Sequence, residues 1–173
     1  MQEFNMSKAD VLHLFDLLNE ECKQKGIEGE IVVFDGTAII LTLSNERRTR
    51  DIDAIFAPKN HLKEIIEEMS AKHNLPRDWL NEGVKGFIYV EPEKNLYREW
   101  SNLKIYTANP EYLLAMKIHS SRALTSDRSD VELLCKVLNI TTTEEAMEIL
   151  ERYVPHNRIE MRSYYFISDI LGE

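Results

Sequence analysis

Two aspartates separated by a single residue, Asp51 and Asp53, are the side chains in this sequence best suited to chemistry. The segment 51–56, Asp-Ile-Asp-Ala-Ile-Phe, reads as a strand. Strand residues two apart project from the same face, so both carboxylates share one side while Ile52 points to the other. Carboxylates held that close repel each other unless a cation sits between them. Hard oxygen ligands beside an open position suit Mg²⁺, which binds one or two carboxylates and keeps its other positions for water and phosphate. Aspartate is depleted in strands, so a pair at a strand start calls for a reason. The alternatives are a solvated edge-strand face or acids paired with Arg47, Arg48 or Arg50.

Just upstream, residues 31–34 (Ile-Val-Val-Phe) read as a buried strand, followed by a tight turn at Asp35-Gly36-Thr37 and an apolar helix over 38–43. Glycine lets the backbone approach a ligand, and a helix start offers free N–H groups to phosphate. Gly36-Thr37 is therefore a candidate phosphate cradle, or else an ordinary strand–helix turn. The loop 44–50 carries Arg47, Arg48 and Arg50, a local basic patch beside the acidic pair.

As an ordered set these motifs resemble the nucleotidyltransferases of the DNA polymerase β superfamily. Their signature is a strand, a Gly-Gly or Gly-Ser turn opening a helix, and an Asp-x-Asp strand. The resemblance is strongest to the small bacterial branch that includes abortive-infection (toxin–antitoxin) nucleotidyltransferases. There the second motif often reads Arg-x-Thr-x-Asp-x-Asp, and this chain has Arg47-Arg48-Thr49-Arg50-Asp51-Ile52-Asp53. A helical lysine and a later aspartate complete the site in those relatives, matched here by Leu113-Leu114-Ala115-Met116-Lys117 and Asp127-Arg128-Ser129-Asp130.

The resemblance implies a catalytic set of Asp51, Asp53, Lys117 and Asp130. Asp51 and Asp53 would hold Mg²⁺ or Mn²⁺, and Gly36, Thr37, Arg50 and Lys117 would bind the nucleotide. It implies transfer of a nucleoside monophosphate from an NTP to an acceptor hydroxyl on tRNA, a protein or a small molecule, in a toxin–antitoxin or defence setting. Two departures favour an alternative, a catalytically inactive binding or antitoxin module with a partner protein. Asp35 stands where the family motif begins with glycine, and residues 103–107 contain no acid where a third metal-binding carboxylate is usual. Lys117 and Asp130 have a plainer reading too, a buried ion pair, or Asp130 interacting with its own helix terminus.

Composition bounds these readings. A length of 173 residues suits one domain or a domain with a small extension, and 43% hydrophobic with 29% charged residues is ordinary for a globular protein. No run approaches the ~18 apolar residues of a membrane span. The first residues lack the basic-then-apolar pattern of a signal peptide, so a cytoplasmic location with no membrane partner is expected. Cys22 and Cys135 are isolated, which argues against structural zinc. A net charge of −9 argues against broad nucleic-acid binding but permits a local basic patch.

The elements that must position the site follow from periodicity. A first helix runs from Ser7 to about Gly26, opened by Ser7 and Asp10 as a capping box with Val11, Leu14, Phe15 and Leu18 as its stripe. Residues 61–73 form a second amphipathic helix. Trp79 and Leu80, in a Leu-Pro-x-x-Trp-Leu-Asn segment that also resembles relatives in this branch, plug a loop against the core. Residues 86–90 and 103–107 read as two more strands joined by a long polar link. Asn109-Pro110-Glu111 opens a helix to about Ala123 with Lys117 and Ser121 on its apolar face. Ser126 or Ser129 caps a helix over 130–138, Thr142 and Glu145 open another through Tyr153, and residues 158–171 form the last. Arg122 and Arg128 are outer-layer candidates only. The expected fold is α+β, polymerase-β-like: a short mixed sheet with helices on one side over 1–108, and a C-terminal helical bundle over 109–173.

Overall fold

The computed structural model describes residues 3–120 and 125–173. Ser121, Arg122 and the expected end of the helix at Ala123 lie outside the described residues, as does the side chain of Ser126. Among the described residues the chain is a mixed α/β protein with a five-stranded mixed sheet and seven α-helices. It divides into two compact units. One comprises residues up to Lys85 together with Lys94–Thr107, and the other comprises Gly86–Glu93 together with Ala108–Glu173.

The first unit begins with α1 (Lys8–Gln24), whose capping box forms as the sequence predicts: the Ser7 hydroxyl accepts from the Asp10 N–H and the Asp10 carboxylate accepts from the Ser7 N–H. Next come β1 (Gly29–Val33), α2 (Asp35–Thr42), β2 (Ile52–Ala57) and α3 (Lys59–His73). The two-residue β3 (Leu80–Asn81), then β4 (Lys94–Glu99) and β5 (Leu103–Ala108), complete the sheet in the order β3-β2-β1-β5-β4. β1 pairs antiparallel with β2 (Val33 opposite Ala54) and parallel with β5 (Val33 opposite Thr107). This register puts Ile31, Val33, Ala54 and Ile105 on one buried face. The other face carries Glu30, Val32, Ile55, Lys104 and Tyr106. Gly29 is required where α3 crosses, because methyl groups of Leu62 and Leu103 lie 3.2 Å from where a Cβ would stand. Trp79 is fully buried and donates its indole N–H to the Ile66 carbonyl of α3 at 3.2 Å, which fixes the loop leading into β3.

The strand expected over 86–90 does not form. Residues Gly83–Phe87 make a 3-10 turn, and the strand falls instead on β4, within the stretch read as a polar link. The run Phe-Ile-Tyr-Val misleads because its side chains find no sheet: Phe87, Tyr89 and Val90 are 42%, 38% and 45% exposed. β4 is an edge strand exposed along nearly its whole length, so backbone pairing rather than side-chain burial makes it a strand, and no periodic signal marks it. Trp100 N–H donates to the Leu103 carbonyl at 2.7 Å across Ser101-Asn102, turning β4 back beside β5.

The second unit holds α4 (Pro110–Ser120), α5 (Thr125–Leu138), α6 (Thr143–Tyr153) and α7 (Met161–Leu171), with α4 packed on the other three. The Asn109 side chain caps α4 by accepting from the Tyr112 N–H at 2.8 Å, and Thr142 with Glu145 closes a second capping box. α5 starts earlier than expected, so Ser129 lies inside the helix rather than capping it, and Asp130 sits in its second turn. The apolar stripe begins only at Val131, and periodicity cannot see the polar turn before it. The last helix is shorter than 158–171, since residues His156–Arg158 form a separate 3-10 turn.

Candidate active site

The glycine turn, read as preceding a helix, is the first turn of α2 itself. Phe34 is extended, and its N–H donates to the Asp53 carbonyl at 2.9 Å, which locks the end of β1 to the start of β2. Asp35 follows at φ +52°, in the left-handed region that favours glycine. Gly36 is buried, and a Cβ there would meet Arg47 Nη2 at 3.2 Å and Thr49 Oγ1 at 3.3 Å. The absent side chain is what lets the arginine loop fold back against the start of α2. Thr37 is 1% exposed and donates its hydroxyl to the Asp51 carbonyl at 3.3 Å, while Thr49 Oγ1 donates to the same oxygen at 2.9 Å. Thr37 thus ties the turn to the acidic strand, and any phosphate at this turn would meet backbone N–H groups rather than this hydroxyl.

Asp51 immediately precedes β2 and is half-buried; Asp53 lies within it. β3 pairs parallel with β2, setting Asn81 beside Asp53, and the Asn81 amide donates to Asp51 Oδ2 at 3.1 Å. Paired residues share a face, so Asp53 and Asn81 lie on the same side of the sheet, and the Asn81 hydrogen bond ties Asp51 to them. Burial pushes the Asp51 carboxyl above its ordinary range; the Asn81 hydrogen bond opposes this, and the charges of Asp35 and Asp78 add to it. This is a half-buried carboxylate with acidic neighbours, an arrangement that a bound cation relieves.

No group of three or more His, Cys, Asp or Glu side chains is disposed to hold a metal ion among the described residues. β5 contains no acid; on the same face it presents Tyr106, with the Lys94 ammonium 4.5 Å from the ring centre. Asp51 and Asp53 would offer two hard carboxylates, a set that would suit Mg²⁺ or Mn²⁺ completed by water and phosphate rather than a fully protein-ligated ion.

The three arginines separate. Arg48 donates to the Asn5 carbonyl at 2.7 Å, and Arg50 pairs with Glu3 at 2.8 Å in solvent. Arg47 is the one whose guanidinium packs over Gly36. Of the basic patch, it rather than Arg50 lies against the glycine turn.

In the second unit, Lys117 of α4 is 5% exposed. Its ammonium lies 2.9 Å from Asp127 and 2.9 Å from Asp130, both on α5. Asp130 is 2% exposed. Asp130 thus faces α4 through this ion pair. Arg128 pairs with Glu132 and Asp169 at the surface.

A cavity of about 340 Å³ in the first unit is lined by Gly29, Glu30, Ala57, Trp100 and Lys104 among others. It sits where β1 begins and β2 ends, the opposite end of these strands from Asp53, and contains none of the site residues.

Sequence reasoning missed Asn81 as a site neighbour. The available signal was the one applied to Asp51, a turn-forming polar residue where a strand pairs. The hydrogen bonds of Asn81 depend on β3, which is too short to read.

A strand–helix turn tied to an acidic strand of a mixed sheet is the layout of a nucleotidyltransferase-like fold. The chain belongs to the family described as nucleotidyltransferase of unknown function (DUF6036), which matches residues 10–166. No curated protein matches it. Among solved structures it is similar to an antigenic nucleotidyltransferase-like protein from Paracoccidioides brasiliensis, at 12% identity over 98% of this chain and 100% of that one, with a TM-score of 0.48. No helix among the described residues is long and apolar enough to cross a membrane.

Proposed function

We propose that the protein is a divalent-metal-dependent nucleotidyltransferase that moves a nucleoside monophosphate from an NTP to an acceptor hydroxyl. The observation that carries this reading is the tie between the two motifs: Thr37 and Thr49 both hold the Asp51 carbonyl, and Phe34 holds that of Asp53. The start of α2 and the acidic strand thus form one construction. In this reading Asp51 and Asp53 hold Mg²⁺ or Mn²⁺, which when bound offsets charge developing on the transferred phosphoryl group. The backbone N–H groups at Gly36 face phosphate, and Arg47 supplies the cation there. Arg50 serves at the rim, where its pairing with Glu3 is exposed and exchangeable. Lys117 and Asp130 retain the roles the family resemblance implies, a triphosphate contact and an aid to the nucleophile, with Lys117 already engaged by two carboxylates. The acceptor belongs to the tRNA, protein or small-molecule hydroxyls, and the setting to toxin–antitoxin or defence systems.

The test is calorimetric titration with Mn²⁺ and a non-hydrolysable NTP. Binding of nucleotide that needs the metal and is lost in Asp53→Asn supports the reading; no binding at millimolar ligand defeats it. A second reading, a catalytically silent module acting through a partner protein, is favoured by Asp35 at the glycine position and by the acid-free β5. It predicts a partner complex indifferent to Asp51→Ala with Asp53→Ala.

A further inference from the structure

We infer that Asn81 is a positioning residue for the candidate metal site, holding the Asp51 carboxylate in the orientation a divalent cation needs. This rests on the reading of Asp51 as a metal ligand. The Asn81 side chain makes three hydrogen bonds. Nδ2 donates to Asp51 Oδ2 at 3.1 Å and to the Asp78 carbonyl at 3.0 Å, and Oδ1 accepts from the Gly83 N–H at 2.9 Å. The network itself decides which way the amide points. Gly83 N–H is only a donor and must face the oxygen; an ionised carboxylate and a carbonyl are only acceptors and must face the nitrogen.

Two further observations show that this arrangement is built. The indole of Trp79 is anchored on α3, and Trp79 O accepts from the Ile52 N–H at 2.8 Å, so the short β3 is pinned beside β2 where its last residue reaches Asp51. A Cβ at Gly83 would stand 2.9 Å from Asn81 Oδ1, so any side chain there pushes the amide aside. Glycine at 83 thus serves the position of the Asn81 amide.

The chemistry explains why an amide stands here. Asp51 has Asp35 and Asp78 as charged neighbours, so a third acid would add repulsion and a lysine would compete with the metal for the carboxylate. A neutral donor fixes one oxygen and leaves the other for the cation. Partners of this kind behind a metal ligand typically govern affinity ten- to a hundredfold.

The experiment is Mn²⁺ titration of the full chain in the presence of a non-hydrolysable NTP. Wild type, Asn81→Ala and Gly83→Ala are compared, each with its thermal midpoint. Asn81→Ala is expected to weaken Mn²⁺ binding about tenfold. Gly83→Ala, which displaces the amide without removing it, should weaken binding less, and it serves if Asn81→Ala does not fold. A purely structural role would lower the thermal midpoint and leave Mn²⁺ affinity of the folded protein unchanged, which overturns the inference. If wild type binds Mn²⁺, Asp51→Asn abolishes that binding and both Asn81→Ala and Gly83→Ala match wild type, the inference falls while the proposed function stands. If wild type binds no Mn²⁺ with nucleotide, both fall.

Discussion

Replacing Lys117 by methionine removes an ammonium held between two carboxylates while nearly keeping side-chain length. The cost can be apportioned from the geometry. Both contacts are 2.9 Å, but the partners differ in solvation: the Asp127 side chain is 20% exposed and that of Asp130 3%. Breaking a buried ion pair by removing one partner costs roughly 3–5 kcal/mol, because a charge is left buried without compensation. Water reaches Asp127, so the lower end applies and Lys117→Met should cost about 3 kcal/mol. Asp130→Asn leaves Lys117 with Asp127 and should cost about 2 kcal/mol, whereas Asp127→Asn should cost about 1 kcal/mol. For a chain of this length, 3 kcal/mol corresponds to a fall of about 6–12 °C in midpoint. Urea titration followed by circular dichroism is the suitable assay, because both tryptophans, Trp79 and Trp100, lie in the first unit and would report on it. A cost for Lys117→Met under about 1 kcal/mol, or Asp127→Asn more damaging than Asp130→Asn, would refute the argument. Replacing all three residues with apolar ones of similar volume should recover most of the stability, since a buried triad is seldom better than good packing.

Asp51→Asn should stabilise the protein at neutral pH by on the order of 1 kcal/mol, a size common for relief of tension at functional sites. The folded carboxyl is raised above its ordinary 3.8, so between that value and the folded one the native state holds more protons than the unfolded, and wild-type stability falls as pH rises. The advantage of Asp51→Asn should therefore be greatest at neutral pH and vanish below about 3.8, which denaturation across that window measures. An unchanged midpoint at pH 7 would contradict it. Cys22 and Cys135 are buried and pushed up to about 11 by loss of solvent, leaving roughly one thiolate in a thousand at pH 8. Ellman's reagent should label both only as fast as the chain unfolds, and prompt labelling of either would show that its surroundings open.

The order of motifs, three of the helix caps and most of the element types were present in the sequence, because they rest on local physics. Ser7 with Asp10, Asn109-Pro110 and Thr142 with Glu145 satisfy backbone groups within one turn, and Ile31, Val33 and Ile52 declare their burial by type alone. What the tertiary structure decided depends on partners distant in the chain. Edge pairing made a strand of the polar residues 94–99, and its absence left Phe87 to Val90 without one. Arg47 was singled out from its neighbours because only its guanidinium meets the missing side chain of Gly36. Asn81 acquired its place from a partner thirty positions away and a β3 only two residues long, and no local pattern encodes a hydrogen bond formed across that distance.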